Sequence, residues 1–315
     1  MLFVKKRGQP RKLGGTVVNK NLMLLLNPVA GGGKNISSLG PVLEVLYRGG
    51  YLPTVYYTTA PGEATQLILS HAQDYDVVAC SGGDGTLSEV VAGLVQLRDP
   101  PPLGYLPHGT SNDVASSLGI PKTSVAAAKF MVRGRPTPID VGLFNEGEYF
   151  TYIAAFGAFT EVSYETPREQ KQSLGHFAYI LQGLSKLPKL THYHTVVELD
   201  NGRKIMDDLL FGSVSNTRAI GGMVRLKDNM VDLNDGHFEV MLVRDPGQGN
   251  VIELNKITTS ILQGTFSSPY IRILRSSHVK FHFEQPVKWT RDGENGGAHQ
   301  DVTLENLRSA YSILL

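Results

Sequence analysis

The first 135 residues alternate between short apolar runs and segments in which apolar residues recur three and four positions apart. Runs of this length predict buried strands, and the recurrence predicts helices that cover them. The predicted strands are Leu22–Leu26, Thr54–Tyr57, Val77–Cys80 and Leu103–Leu106. The predicted helices are Ile36–Tyr47, Glu63–His71, Leu87–Leu94, Ser111–Leu118 and Ser124–Arg133. This alternation predicts an α/β domain with a parallel sheet, which binds ligands at the carboxyl ends of its strands.

From about residue 136 onward, strand-like runs separated by turns replace the alternation. The runs are Tyr149–Phe156, Val196–Leu199, Asp208–Val214, Phe238–Val243, Tyr270–Leu274 and His278–Phe283. Asn201-Gly202 and Asp235-Gly236 are strong turn signals. This half is therefore predicted to be a mainly β sandwich, with helices inserted at about Arg168–Leu187 and Asn250–Leu262. The first of these helices carries an apolar stripe, which is more typical of core packing than of a membrane-facing surface.

The composition narrows the class of protein. At 315 residues the chain is long enough for two domains, which we predict at 21–135 and 136–305 after a poorly ordered, basic extension at 1–20. A weak membrane-surface patch is the alternative interpretation of that extension. Lys and Arg number 30 against 29 Asp and Glu, so no overall positive field attracts nucleic acid. The one cysteine, Cys80, excludes a disulfide framework and suits a reducing cytoplasm. No apolar run reaches the roughly 18–20 residues that span a bilayer.

A glycine-rich loop with an acidic residue follows the third predicted strand. Residues Ser81–Thr86 read Ser-Gly-Gly-Asp-Gly-Thr, and a helical pattern begins directly after them. Backbone N–H groups and a helix N-terminus in this arrangement bind phosphate. Asp84 would repel a bare phosphate, so it predicts a cation that accompanies the phosphate, or a polarised hydroxyl or water. A tight turn capped by Asp and Thr is the alternative interpretation.

A second glycine-rich loop, Asn27–Lys34, follows the first predicted strand. It is similar to a Walker A loop, but Pro28 stands where that motif needs glycine. Asn35 also stands where Ser or Thr would bind magnesium. We therefore interpret the segment as backbone suited to phosphate, and not as a P-loop; a flexible turn is equally consistent with it.

The fourth predicted strand also ends in a polar loop, Leu106–Asp113, which runs into a helix. Thr110, Ser111 or Asn112 can cap that helix, which is the structural explanation of the polar residues. The functional explanation is a second set of donors beside a second carboxylate. If the third and fourth strands are neighbours, Asp84 and Asp113 line one cleft.

The second half contains two acidic turns. Asp232–His237 is an ordinary hairpin turn whose carboxylates and carbonyls also suit a hard cation. In Thr290–Gly297, glycines on both sides of Glu294 indicate unusual backbone conformations that present one carboxylate. His192 and His194 alternate on a predicted strand without zinc-like spacing, and we expect surface or cross-strand positions for them.

Together these motifs resemble the diacylglycerol kinase family, in particular the soluble bacterial lipid kinases related to the diacylglycerol, sphingosine and ceramide kinases. The resemblance runs from about Leu22 to the C-terminus and rests on Asn27-Pro28 with its glycines, Ser81–Thr86, Leu106–Asp113 and Asp292-Gly293-Glu294. Gly-Gly-Asp-Gly-Thr alone is shared with NAD kinases and, loosely, with phosphofructokinases. Its combination with Leu-Pro-x-Gly-Thr-x-Asn-Asp is much more specific to the lipid kinases.

The resemblance implies a nucleotide-binding domain to which the end of the chain, about 306–315, returns, and a C-terminal sandwich. It implies the following ATP contacts: Asn27, Pro28, Ala30, Gly31, Thr58, Gly83, Asp84, Gly85, Thr86, Glu89 and Thr110. Glu294 would be the general base for the lipid hydroxyl, and Asp84 and Asp113 would meet it at a magnesium-bound γ-phosphate. Asp232, Asp235 and the backbone at His237 would match a structural magnesium site. The stretch 225–230 lacks the Pro and small residues expected before that turn, which leaves the site in doubt.

The resemblance thus predicts an ATP- and Mg²⁺-dependent lipid kinase, cytoplasmic and in transient contact with the inner face of a membrane. An NAD kinase-like enzyme and a non-catalytic nucleotide-binding module of the same fold are the alternatives. The lipid acceptor is not readable from the sequence. The helix at 168–187 and the region 221–224 are candidates to surround the acyl chains. A homodimer is left open.

Overall fold

The computed structural model describes residues 11–13, 16–18, 20–110, 112–157, 191–217, 219–220, 224–225, 232–247 and 250–315. The predicted helix at 168–187 lies outside the described residues, as do most of the basic extension and of the stretches 221–224 and 225–230. Within the predicted extension, β1 (Arg11–Leu13) and β2 (Thr16–Val18) pair as a short antiparallel ladder.

The chain divides into two compact units. The first unit comprises residues 1–109, 120–137 and 312–315, and the second comprises 110–119 and 138–311. The division near residue 137 agrees with the predicted change of pattern. The segment 110–119, which the sequence places with the first half, groups with the second unit instead.

The first unit is a parallel sheet between helices. Its strands lie in the order β4-β3-β5-β6, and the last residues of the chain add a further parallel strand beside β6. The strands are β3 (Lys20–Leu26), β4 (Tyr51–Tyr57), β5 (Val77–Gly82) and β6 (Leu103–Pro107). The helices are α1 (Lys34–Arg48), α2 (Glu63–His71), α3 (Asp84–Leu94) and α5 (Ser124–Arg133); the short α4 (Asp113–Ser117) belongs to the second unit.

The core of the first unit explains why its strands read as continuous apolar runs. Leu22–Leu26 and Val77–Cys80 are buried along their whole length, because helices cover both faces of a parallel sheet. Gly93 permits the close packing of α3 on α2, since a Cβ there would lie 2.7 Å from the side chain of Ile68. The predicted strands and helices are therefore found within a few residues of their expected bounds.

The second unit is mainly β, as predicted. Its strands are β7 (Pro136–Phe144), β8 (Glu148–Phe150), β9 (Ile153–Gly157), β10 (Tyr193–Leu199), β11 (Lys204–Ser215), β12 (Ala219–Ile220), β13 (Val224–Arg225), β14 (Phe238–Arg244), β15 (Ile271–Ser276), β16 (His278–Arg291) and β17 (Glu294–Leu314). One helix of this unit, α6 (Val251–Leu262), lies close to its predicted position. Asn250 caps α6, because its side chain accepts a hydrogen bond from the Glu253 N–H at 3.2 Å.

Two long strands join the layers of the second unit. β11 and β16 each pair with β10 over one half of their length and with β9 over the other half. The core between them is aromatic: the ring of Phe156 lies 4.8 Å from that of Phe283, 4.9 Å from that of Trp289 and 5.6 Å from that of Phe281, measured between centroids. All four side chains are almost completely buried. This packing fixes the hairpin that carries Glu294, which follows Trp289 at the turn between β16 and β17.

Candidate active site

The first glycine-rich loop is tied to the Ser81–Thr86 loop by Asn27. The Asn27 N–H donates to the Ser81 carbonyl oxygen at 3.0 Å. Its side-chain amide donates to Thr86 Oγ1 at 2.9 Å, and its side-chain oxygen accepts the Val29 N–H at 3.2 Å. The strand register places Leu26 opposite Ser81, so the two loops leave the sheet at the same edge. Both loops therefore lie at the edge where parallel α/β sheets bind their ligands, and phosphate binding there stays a prediction.

The backbone geometry of the first loop favours glycine at three successive positions. Gly31, Gly32 and Gly33 have φ values of 60°, 68° and 80°, which side chains disfavour. A Cβ on Gly31 would lie 2.5 Å from the carbonyl oxygen of His108, so glycine allows this loop to approach the end of β6. α1 begins directly after Gly33, an N-cap glycine that has no side chain with which to cap the helix. A helix N-terminus of this kind attracts an anion.

The loop after β5 ends in a second helix N-terminus. α3 starts at Asp84 itself, three residues earlier than the sequence indicates, with extended Gly83 as its N-cap and no side-chain cap. A Cβ on Gly83 would lie 3.1 Å from the Cα of Gly109, and the His108 N–H donates to the Gly82 carbonyl at 2.7 Å. The ends of β5 and β6 therefore contact each other here through backbone atoms. Asp84 lies in the first turn of α3.

Two of the predicted nucleotide contacts have structural partners of their own. Thr58 is buried, and its N–H donates to the Leu26 carbonyl at 3.0 Å. The Glu89 carboxylate accepts the N–H of Ala64 at 3.2 Å, so Glu89 ties α3 to the first turn of α2. Sequence reasoning missed Glu63, whose carboxylate accepts the Thr59 N–H at 2.5 Å and the Thr59 hydroxyl at 2.9 Å. The first of these hydrogen bonds is the main cause of a lowered Glu63 pKa.

In the second unit, a single carboxylate anchors the turn that carries Glu294. Asp292 and Gly293 form the two-residue turn between β16 and β17, with φ values of 49° and 80°. Asp292 Oδ2 accepts the N–H and the hydroxyl of Thr151, at 2.7 and 2.8 Å. Its Oδ1 accepts the N–H groups of Tyr152 and Ile153, at 3.0 and 3.1 Å.

These four hydrogen bonds also correct a predicted strand. The sequence predicts one strand at Tyr149–Phe156, whereas the structure has β8 and β9 with a break at residues 151 and 152. The N–H groups of the break point to the buried Asp292 carboxylate and not to a neighbouring strand. The local pattern carries no sign of this, because the acceptor lies about 140 residues further along the chain. Glu294 itself is exposed at the start of β17.

A second buried carboxylate holds the Asp232–His237 turn. Asp140 is fully buried, and its two oxygens accept the N–H groups of Gly236 and Ser309, both at 2.7 Å. Its own N–H donates to the Leu233 carbonyl at 2.9 Å. Burial is the main cause of a raised Asp140 pKa, and these hydrogen bonds oppose it. Sequence reasoning missed Asp140, although an acid inside the apolar run of β7 is a signal in itself.

The Asp232–His237 turn fits a structural magnesium ion incompletely. Asp235 Oδ1 accepts the His237 N–H at 2.9 Å, while Asp235 Oδ2 is bound by the guanidinium of Arg275. Asp232 is exposed. No group of three His, Cys, Asp or Glu side chains among the described residues is placed to bind a metal ion. The magnesium site of Asp232, Asp235 and His237 therefore stays a prediction, and no step of the chemistry depends on it.

Beside this turn lies a buried acid that the sequence did not single out. Glu239 is 3% exposed, and among the described residues neither of its carboxylate oxygens has a hydrogen-bond partner. The Nε of Arg275 lies 3.9 Å from its Oε1. Burial raises the pKa of Glu239 to about 8, with the charge of Arg275 opposing the shift. Arg275 thus lies beside the carboxylates of both Asp235 and Glu239. Its guanidinium supplies positive charge at the place where the turn would bind a cation.

The remaining predicted catalytic acids lie in different units. Asp84 belongs to the first unit, whereas Asp113 and Glu294 belong to the second, so their convergence on one phosphate stays a prediction. Asp113 is buried in the first turn of α4, after Asn112 with a φ of 50°. His194 lies opposite Asp208 in the ladder of β10 and β11, and their side chains are 2.9 Å apart. The expected cross-strand position of this histidine is confirmed.

Two glycine-rich strand ends at helix N-termini, in a parallel α/β unit followed by a mainly β unit, suit a nucleotide-binding protein. The family model "Diacylglycerol kinase catalytic domain" matches residues 21–144, and "YegS C-terminal NAD kinase beta sandwich-like domain" matches residues 155–310. The chain belongs to the diacylglycerol kinase family and is a lipid kinase of that family. The resemblance inferred from the motifs is therefore confirmed.

Individual relatives agree with this assignment. A diacylglycerol kinase of Bacillus subtilis (strain 168) is 34% identical over 88% of this chain and 91% of its own length. A diacylglycerol kinase of Staphylococcus haemolyticus (strain JCSC1435) is 32% identical over 89% of this chain and 84% of its own. A crystal structure from Bacillus anthracis str. Sterne, assigned as a diacylglycerol kinase, is similar in fold, with a TM-score of 0.81, 24% identity and coverage of 93% and 94% of the two chains.

Proposed function

We propose that this lipid kinase transfers the γ-phosphoryl group of ATP to the hydroxyl group of diacylglycerol or of a closely related lipid. The observation that carries the proposal is the pair of helix N-termini with glycine N-caps, Gly33 and Gly83, at the ends of the neighbouring strands β3 and β5. Such helix ends suit a triphosphate, and two relatives of this chain are named diacylglycerol kinases. The acceptor is part of the proposal, since relatives at this identity share the family but not every substrate.

The proposed ATP site consists of the predicted contacts in and after these loops. They are Asn27, Pro28, Ala30, Gly31, Thr58, Gly83, Asp84, Gly85, Thr86, Glu89 and Thr110. Among them, Gly31 and Gly83 supply close approach of backbone, and Asn27 and Thr86 hold the two loops together. Thr58 and Glu89 support the ends of β3 and α2, so we expect them to act more on the shape of the site than on the phosphates.

The proposed chemistry needs few protein groups. Phosphoryl transfer depends on in-line positioning, neutralisation of charge and a group that orients the attacking hydroxyl. Glu294 accepts the proton of the lipid hydroxyl while that oxygen bonds to the γ-phosphorus and the bond to the β-phosphate oxygen breaks, which releases ADP. Magnesium bound to the triphosphate would neutralise part of its negative charge. Asp84 and Asp113 are the proposed acids on the nucleotide side of the reaction.

A lipid acceptor requires contact with a membrane surface. No helix among the described residues is both long and apolar enough to cross a bilayer. We therefore infer that the enzyme binds the inner face of a membrane peripherally and transiently from the cytoplasm. A homodimer stays a prediction.

The decisive experiment offers acceptors to the purified protein with labelled ATP and Mg²⁺. Diacylglycerol, monoacylglycerol, a sphingoid base, a polyprenol and phosphatidylglycerol are presented in mixed micelles, and NAD is the non-lipid control. We expect label in diacylglycerol or a related lipid and none in NAD. Label in NAD alone would refute the proposal, and no transfer to any acceptor would favour a non-catalytic module.

Glu294→Gln tests the proposed base. A positioned base contributes roughly 10²–10⁴-fold, so the variant should lose nearly all turnover while its affinity for Mg-ATP stays close to that of the wild type. Glu305→Gln is the matched control, because Glu305 is an exposed acid on the same strand, β17. A Glu294→Gln enzyme with near-wild-type turnover would show that another group takes the proton.

A further inference from the structure

The side chain of His108 connects several segments of the first unit. His108 stands directly after β6, with its imidazole half-buried. Its Nδ1 lies 3.0 Å from the Leu106 carbonyl oxygen and 3.3 Å from Ser81 Oγ. Its Nε2 lies 2.6 Å from Ser124 Oγ and 3.4 Å from Ser38 Oγ. Both ring nitrogens therefore face polar partners, each from a different part of the chain.

These distances assign the protons. The Leu106 carbonyl accepts hydrogen bonds and does not donate them, so Nδ1 carries the proton and Nε2 is an acceptor. The Ser124 hydroxyl then donates to Nε2, and the Ser38 hydroxyl donates to Ser124 Oγ at 3.3 Å. Burial lowers the pKa of His108, which agrees with the neutral ring that this chain of hydrogen bonds requires.

The partners of His108 belong to the segments that border the proposed phosphate site. Ser38 lies in α1, just after the glycine loop, and Ser81 lies at the end of β5, just before Gly83. Ser124 is the first residue of α5. The main chain of His108 adds two contacts: its carbonyl oxygen faces Gly31, and its N–H donates to the Gly82 carbonyl. One residue thus contacts both loops and the helices α1 and α5.

We propose that His108 is a positioning residue for the nucleotide, which fixes the glycine loop after β3 against the glycine loop after β5. The inference rests on the proposed function, because it assumes that the triphosphate binds between these loops. It goes further in assigning the role to a side chain whose partners are three serines in and beside these loops, Ser38, Ser81 and Ser124. In this role His108 acts through the loops and not on a reacting atom, so its loss should lower the affinity for Mg-ATP and leave the rate at saturating ATP unchanged.

A satisfied core histidine is the competing explanation, and it makes a different prediction. Loss of a purely structural hub lowers the unfolding temperature without a selective effect on nucleotide affinity. Loss of a positioning hub weakens Mg-ATP binding, because the bound state must then order two loops that the hydrogen bonds had held together. Affinity and thermal stability are therefore measured on the same samples of the full chain.

The experiment compares the wild type with His108→Ala and His108→Gln by calorimetric titration with Mg-ATP in the absence of lipid. We expect a Kd about tenfold higher for His108→Ala, the factor that corresponds to the loss of one or two hydrogen bonds. His108→Gln should stay within about threefold of the wild type, since its amide reaches the Nε2 position and its oxygen accepts from Ser124. Turnover at saturating ATP should change less than twofold.

Serine variants test the same network without loss of the imidazole. Ser124→Ala should raise the Kd in the same direction, and in combination with His108→Ala it should add little, because the two residues share one hydrogen bond. Ser38→Ala is compared with Ser70→Ala, an exposed serine of α2 in the same unit, which should bind like the wild type. These variants keep the test intact if His108→Ala fails to fold.

The outcomes separate the two proposals. An unchanged Kd in His108→Ala and Ser124→Ala, with or without a lower unfolding temperature, overturns the role of His108 while the kinase proposal stands. Equal losses of affinity and of turnover at saturating ATP also overturn it. Absence of Mg-ATP binding in the wild type refutes the proposed function itself, and the role of His108 with it.

Discussion

The Asp292 carboxylate offers a direct test of how the fold positions the proposed base. Asp292→Asn preserves the size of the side chain, and asparagine tolerates a φ of 49° as well as aspartate does. The change removes one acceptor oxygen, so about two of the four donors of Thr151, Tyr152 and Ile153 then face an amide NH₂. The perturbation is therefore confined to the hydrogen bonds and the charge.

The size of the effect follows from this geometry. Asp292 is 7% exposed, and hydrogen bonds to a charged acceptor are worth about 1.5–3 kcal/mol each, so two lost bonds lower the free energy of unfolding by about 3–6 kcal/mol. Turnover should fall by about 10- to 100-fold, because a displacement of the base by about 1 Å has an effect of that order. The affinity for Mg-ATP should not change, since Asp292 lies in the second unit and the glycine loops lie in the first.

The effect of Asp292→Asn is measured by denaturant unfolding, by turnover and by titration with Mg-ATP. Asp301→Asn is the control, because Asp301 is an exposed acid of β17, the strand that carries Glu294, and its carboxylate lies 2.6 Å from the His282 imidazole. In a double variant with Glu294→Gln, Asp292→Asn should cause no further loss of turnover, as expected if it acts through Glu294. Stability and turnover equal to the wild type in Asp292→Asn would refute the reasoning.

Three further predictions concern other parts of the chain. Gly31→Ala should raise the Kd for Mg-ATP at least tenfold, since a φ of 60° strains alanine and its Cβ would meet the His108 carbonyl; unchanged binding would contradict this. Burial lowers the His108 pKa below 6.5, so the stability that the neutral imidazole contributes is present above about pH 6.5 and is lost as the pH falls through the folded pKa. The thermal midpoint of the wild type should therefore drop more on acidification than that of His108→Gln. Because Arg275 already binds Asp235, neither EDTA nor Mg²⁺ should change the thermal midpoint of the wild type by much. Arg275→Gln should be stabilised by millimolar Mg²⁺. A large effect of Mg²⁺ on the wild type would instead support a structural magnesium site at this turn.

Features encoded locally were predictable from the sequence, and features that depend on distant contacts were not. The strand ends at Asn27, Ser81 and Leu106 could be located because apolar runs and glycines mark them, and the parallel sheet brings such ends together. The anchoring role of Asp292 could not be read, because its partners lie about 140 residues earlier in the chain. Asp140 and Glu239 are comparable cases: the apolar residues beside them in the sequence indicate burial, but their partners lie in distant segments that the sequence does not reveal.

The contacts of His108 show that distant partners cannot be predicted even for a residue inside a recognised motif. The residue fills the variable position of Leu-Pro-x-Gly-Thr, so the motif itself says nothing about it. Its partners, Ser38, Ser81 and Ser124, lie on three separate elements. The motif therefore locates the site, but the contacts made by its variable position, His108, become visible only in the structure.

The return of the C-terminus to the first unit has a consequence for the order of synthesis. Ile313 pairs with Leu103 of β6, and Leu315 exchanges two backbone hydrogen bonds with Arg135, at 2.7 and 3.1 Å. Domains generally fold from the N-terminus while the ribosome is still at work. Here the sheet of the first unit lacks the strand that contains Ile313 until the residues of the sandwich have been translated. The nascent chain must therefore carry an unfinished catalytic domain through the whole synthesis of its sandwich.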